Sequence, residues 1–228
     1  MPNEPRDAYT TAQIKKQIVE ISKIMYEKGM VNAFEGNISV LYKNKVYITP
    51  SAICKGFLTE EMIVAVDLSG NVIEGGYKPS SELKLHLAAY RFRPDINSVI
   101  HAHSPYATAF AVANKPIETK AYPEMIALFG KVPLADYGTP STDEIYYGVE
   151  KHIIDYDVIL LANHGIMSVG KDVYDSFFKL ESAESIAKVL LLTNLLGGEK
   201  NLPEDKLSEL YKRREKEKFI SRRWASLP

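Results

Sequence analysis

The chain is poor in the features that mark secreted, membrane-spanning or polyanion-binding proteins. Cys54 is its only cysteine among 228 residues. That excludes an intrachain disulfide and fits a reducing, cytoplasmic setting. No apolar run is long enough to span a bilayer: "VLLLTNLL", residues 189–196, is short and interrupted. The first ten residues, "MPNEPRDAYT", lack the apolar core of a signal peptide. Charge of one sign is also missing, since the formal net charge is −1. Neither a membrane nor a nucleic acid is therefore expected as a partner. The basic stretch "YKRREKEK" alternates sign and reads as a solvated helix face. Repeats, low-complexity tracts and linkers are absent, so residues 1–228 are expected to form a single domain. What the chain does have is apolar content, 46% of residues, enough for a sizeable core.

Periodicity organises the rest. Ile14, Ile18, Ile21 and Met25 form one stripe of a helix that Thr10 or Thr11 caps and Gly29 ends. "NISVLYKNKVYITP" and "MIVAVDLSGNVIEG" read as hairpins. "PSSELKLHLAAYRFRP" reads as a helix with serines at its start and Pro94 at its stop. "INSVIHAHS" is a short buried strand, "SPYATAFAVAN" a helix, and "DVILLANHGIMSVG" two strands bent at Asn163–Gly165. A long helix runs up to Gly197 and Gly198, and a last charged helix covers about 204–218. The pattern is α/β.

Only five histidines are present, and two of them, His101 and His103, flank one alanine at the end of an apolar run. Residues two apart on a strand share a face, roughly 6.5–7 Å apart. Two such imidazoles reach one metal ion, or they sit in a hydrogen-bonded core. His164 follows another apolar strand, and Gly165 is expected to let the chain turn tightly there. Three histidine nitrogens and an open position suit a catalytic zinc site, whereas a structural zinc site would want cysteines. His86 reads as a packing or surface residue, although its place four residues past Glu82 leaves a metal role open. His152 reads as a surface residue.

Ser80 and Ser81 stand where helix caps are preferred, but free amides and two hydroxyls there also suit a phosphate. "EGNIS" and "ITPSAICKG" place further small residues at strand–loop junctions. Glu82 either complements the helix dipole or serves as a metal ligand and proton-transfer group.

Taken together, "GNIS", "ITPSA", "PSSELKLHLAAYRFRPDINSVIHAHSPYAT" and "NHG" resemble the class II aldolase/adducin family, in order and spacing, over about residues 10–195. Within it they most resemble the L-fuculose-1-phosphate aldolase branch. The resemblance implies a three-layer α/β/α domain around a central, mostly antiparallel sheet. It also implies a homotetramer with active sites at subunit interfaces. His101, His103 and His164 match the family's zinc ligands, one Zn2+ per subunit, other divalent transition metals being alternatives. Glu82 matches its acid/base, which also ligates zinc without substrate. Gly36, Asn37, Ser51, Ala52, Ser80 and Ser81 match its phosphate-binding positions. Tyr122 matches a tyrosine that donates a proton to the aldehyde, and Tyr211 is the candidate for one supplied from a neighbour's tail. The implied reaction is reversible cleavage of a ketose 1-phosphate to dihydroxyacetone phosphate and a short aldehyde such as L-lactaldehyde, with the metal balancing enediolate charge.

The chain departs from the family at three places, one of them the segment "AYPEMIALFG" around Tyr122. Ala52 stands where the phosphate loop usually has glycine, and the tail after Leu196 does not match. Related chemistries share the zinc site. The L-ribulose-5-phosphate 4-epimerase branch tends to carry Asp at the Glu82 position, plus a longer segment where this chain has "KPIETKAYPEM". A methylthioribulose-1-phosphate dehydratase or a decarboxylase would need other outer-pocket residues. A non-catalytic adducin-like module would lose the metal histidines, which this chain keeps.

Overall fold

The first helix forms where the apolar stripe predicts it. In a computed structural model, which describes residues 9–225, helix α1 spans Thr11–Glu27 and buries Ile14, Ile18, Ile21 and Met25. Thr10 and Gln13 cap it reciprocally: the Thr10 hydroxyl accepts from the Gln13 amide (3.2 Å), and the Gln13 side chain accepts from the Thr10 amide (2.7 Å). Gly29, at φ +67°, turns the chain so that the Met30 amide donates to the Met25 carbonyl at 2.9 Å. Residues 1–8 and 226–228, the ends of the expected single-domain span, lie outside the described residues.

Strands β1 (Asn37–Tyr42) and β2 (Lys45–Ile48) form the first hairpin. Its two turn residues, Lys43 and Asn44, both have positive φ, which matches strand twist. Strands β3 (Val64–Val66) and β4 (Val72–Glu74) form the second. Then follow α2 (Leu83–Phe92), β5 (Ser98–Ala102), α3 (Pro105–Val112), α4 (Pro123–Leu128), β6 (Leu134–Ala135) and α5 (Glu144–Ile153). Strands β7 (Val158–Leu161) and β8 (Gly165–Gly170), and helices α6 (Val173–Leu195) and α7 (Glu204–Ala225), complete the chain. Helix α7 runs beyond the expected end near 218, and α4, β6 and α5 were not anticipated.

The eight strands make one sheet in the order β4-β3-β2-β1-β5-β8-β7-β6. Every neighbouring pair is antiparallel except β6 with β7. Alternation along the strands divides the core in two. Ile38, Val40, Ile100 and Ile166 pack with α1, α3 and α6 on one face. Val46, Val99, Met167 and Val169 pack with α2 and α5 on the other. The result is the expected three-layer α/β/α arrangement around a mostly antiparallel sheet. None of the described helices is long and apolar enough to cross a membrane.

Candidate metal centre and adjoining cleft

Strand register brings the histidines together. Asn37 of β1 lies opposite His101 of β5, and β8 flanks β5 on its other side. His101 is the penultimate residue of β5, and His103 lies just past its end. His164 sits in the turn from β7 to β8. The imidazoles of His101, His103 and His164 have ring centroids 4.6–4.9 Å apart, and one nitrogen from each lies within 4.8 Å of the others. The left-handed residue in that turn is Asn163, at φ +57°, and not Gly165. Gly165 is required for a different reason. A Cβ there would lie 2.5 Å from the Ala102 carbonyl and about 3 Å from the rings of His103 and His101.

The hydrogen bonds fix which nitrogens face the centre. His101 Nδ1 donates to the Ile166 carbonyl at 3.0 Å, so its Nε2 carries a lone pair. His103 Nδ1 lies 3.4 Å from a Glu35 carboxylate oxygen, which leaves its Nε2 as a base too. Those two Nε2 atoms are 2.9 Å apart. Glu82 Oε2 is 3.2 Å from His101 Nε2, and Glu82 Oε1 is 3.1 Å from His164 Nε2. Burial pushes His101 down to about 3 and lowers His103 as well, so neither ring supplies a proton at neutral pH. The His101 and His103 lone pairs thus face each other with no hydrogen to share. A cation relieves that repulsion, so the residues fit a metal ion, and the all-imidazole and carboxylate donor set suits a borderline divalent metal. Burial alone would raise the Glu82 carboxyl, but the facing His101 and His164 and the Asn37 amide hold it below the usual carboxylate range.

A cleft opens beside this centre. Its lining includes Gly36, Asn37, Ser51, Ala52, Ser80, Ser81, Glu82, His103 and His164. His101, fully buried, stands behind it. Helix α2 begins at Leu83, with Glu82 at its cap position and no side-chain cap bond, so the two serines form the preceding turn and do not cap the helix. The Ser51 and Ser80 amides are already used, donating to the carbonyls of Lys78 and Thr49. The hydroxyls are therefore what these two residues offer a ligand. Ala52 adopts φ +58°, the left-handed conformation expected of the glycine it replaces, at a cost of about 1–2 kcal/mol. Tyr122 and Tyr211 do not line the cleft: Tyr122 caps α4 and packs against the core, and Tyr211 lies half-exposed on α7.

Four lining residues, Phe34, Glu35, Pro50 and Lys55, are not singled out by the sequence. Glu35 anchors His103; its only signal was its place beside Gly36. Lys55, in the "ITPSAICKG" loop, is 3% exposed. Its ammonium donates to the Ile53 carbonyl at 2.8 Å, and it forms no ion pair among the described residues. Burial lowers its pKa, although the neighbouring Cys54 opposes the shift.

The chain as a whole is similar to proteins of one known family. The sequence model of the class II aldolase and adducin N-terminal domain matches residues 16–191. An L-fuculose phosphate aldolase of Methanocaldococcus jannaschii is 42% identical over 182 residues, covering 80% of this chain and 97% of its own. A 5-deoxy-D-ribulose 1-phosphate aldolase of Bacillus thuringiensis serovar kurstaki is 36% identical over 202 residues, covering 87% and 94%. A solved L-fuculose 1-phosphate aldolase superposes with a TM-score of 0.81 at 32% identity, covering 89% of this chain and 96% of its own.

Proposed function

The chain belongs to the class II aldolase and adducin family and is an aldolase-type lyase, and from that premise we propose that it reversibly cleaves a ketose 1-phosphate to dihydroxyacetone phosphate and a short aldehyde. L-Fuculose 1-phosphate, giving L-lactaldehyde, is the first candidate substrate. 5-Deoxy-D-ribulose 1-phosphate is the second, because one relative bears that name. The observation that carries this reading is the convergence of His101, His103 and His164, the first and last of them against Glu82, beside a cleft edged by hydroxyls.

The three histidines, with Glu82 before substrate arrives, would hold a divalent metal, zinc in our reading. Such an ion supplies Lewis-acid charge to a substrate oxygen as the carbon–carbon bond breaks. The protein's own groups do the rest. Ser51, Ser80 and Ser81 offer hydroxyls to the phosphate, and Gly36 lets the backbone approach closely. Lys55 supplies the positive charge that a phosphate dianion needs in a desolvated loop. Glu82 takes a proton from the dihydroxyacetone phosphate carbon in the condensation direction and returns it on cleavage.

Tyr122 and Tyr211 lie away from their own chain's cleft, which favours an assembly in which a neighbouring copy completes the site. We read the assembly as a homotetramer. Phe34, at the cleft and 83% exposed, is an apolar side chain suited to being covered there. The lone Cys54 accords with a cytoplasmic setting. The test is a panel of fuculose-, rhamnulose-, ribulose- and 5-deoxyribulose-phosphates given to the zinc-loaded protein. Dihydroxyacetone phosphate released from a 1-phosphate supports the reading; epimerisation without cleavage, or no turnover of any sugar phosphate, refutes it.

A further inference from the structure

Between the sheet and α2 lies a line of buried polar groups that the reaction does not use directly. Tyr90 Oη is 2.7 Å from Ser39 Oγ, and Ser39 Oγ is 2.7 Å from His86 Nδ1. His86 Nε2 is 2.5 Å from Asn37 Oδ1, and Asn37 Nδ2 is 3.1 Å from Glu82 Oε2. Ser39 and His86 are wholly buried, and Asn37, Tyr90 and Glu82 are nearly so. All hang on two elements: β1 carries Asn37 and Ser39 on one face, and α2 carries His86 and Tyr90 one turn apart.

Donor and acceptor roles along this line have one solution. An ionised carboxylate only accepts, so Asn37 must turn its NH2 toward Glu82. Its carbonyl oxygen then faces His86 and also only accepts, so His86 Nε2 bears a hydrogen. Burial pushes His86 down to about 4, so the ring is neutral and holds one hydrogen only. Nδ1 must therefore accept, and the proton comes from Ser39. With its hydrogen spent, Ser39 Oγ accepts from Tyr90, whose hydroxyl burial keeps protonated. Every hydrogen points toward Glu82.

We propose that His86, locked as the Nε2–H tautomer by Ser39 and Tyr90, is a positioning residue that orients the Asn37 amide and through it fixes one oxygen of Glu82. The other oxygen, Oε1, stays toward His164. In the opposite tautomer Asn37 would have to reverse and present its carbonyl to a carboxylate, which would drive Glu82 out of its pose. The proposal rests on the reading of Glu82 as the proton-transfer group.

Two measurements test it. Nitrogen-15 NMR of the zinc-loaded protein should find His86 protonated at Nε2 and bare at Nδ1; the reverse tautomer, or an imidazolium, overturns the proposal. The second follows deuterium exchange at the dihydroxyacetone phosphate carbon. His86→Phe should lower kcat roughly 10–100-fold, with KM within about twofold and bound zinc unchanged. His86→Gln, which keeps a donor toward Asn37, should recover most of the loss, and Ser39→Ala should fall between. Full kcat in His86→Phe, or parallel loss of kcat, KM and zinc, overturns the positioning role. If His86→Phe does not fold, Ser39→Ala and the tautomer decide. No exchange by the wild type would refute the aldolase reading, and the NMR result would still judge the relay.

Discussion

Acid should weaken this protein through His86 in a defined window. Both ring nitrogens are bonded to neutral groups inside the sheet–α2 interface, and no water reaches the ring. The folded chain holds it neutral, with its pKa moved from 6.5 to about 4 by desolvation. Because the neutral form is the native one, this contribution is full above 6.5 and is lost as pH falls toward about 4. At pH 5 the unfolded ring is almost wholly charged and the folded ring almost wholly neutral, which costs about 2 kcal/mol relative to pH 7.5. With a urea slope of about 2 kcal/mol/M, the unfolding midpoint moves by roughly 1 M. Other groups also titrate, so the assay compares wild type with His86→Gln, both zinc-loaded, at the two pH values. His101, the other deeply shifted histidine, is common to both and cancels. The variant should lose less stability on acidification by about 2 kcal/mol. Equal losses in the two proteins would show that His86 is not held neutral in the fold, and the donor order argued for the relay would fall with it.

Three further substitutions probe the site itself. Glu82→Gln should keep the fold and slow deuterium exchange at the dihydroxyacetone phosphate carbon by roughly 10²-fold or more, measured by NMR; unchanged exchange would contradict its role. Lys55→Met removes a buried ammonium that forms no ion pair among the described residues, so thermal stability should hold or rise while calorimetric Kd for dihydroxyacetone phosphate weakens roughly 10-fold; an unaltered Kd would remove Lys55 from the phosphate loop. Gly165→Ala puts a methyl 2.5 Å from the Ala102 carbonyl and against the His101 and His103 rings. It should cut zinc affinity roughly 10–100-fold in a chelator competition, and wild-type affinity would mean the rings are not pinned as described.

Much of this was legible in the sequence, for physical reasons. Helix α1 declared itself by a 3.6-residue apolar stripe between two good caps, and β1–β2 by paired β-rich runs around a short polar turn. The histidines stood out because apolar strands ended on them. Other features depend on contacts far apart in the chain. Helix α5 buries Ile145, Gly148, Val149 and Ile153, a helical spacing that was present but diluted by the tyrosines and by a mid-helix glycine. That glycine is explained only by packing, since a Cβ on Gly148 would lie 2.8 Å from the Asp136 carbonyl. Helix α4 and β6 are too short to carry a period. The serines looked like caps because local sequence cannot show that the helix starts after Glu82. His86 looked inert because its partners, Asn37 and Ser39, lie on another element more than forty residues away. Lys55 is one lysine among many in the sequence; its burial, with no ion-pair partner among the described residues, sets it apart.

The central claim concerns one cation shared by three imidazoles, and anomalous diffraction at the zinc edge from crystals of the zinc-loaded protein tests it most directly. A single strong peak per chain, bonded to ring nitrogens of His101, His103 and His164, is the predicted result. A catalytically competent crystal with no peak there, or with its metal bound elsewhere, would contradict the account.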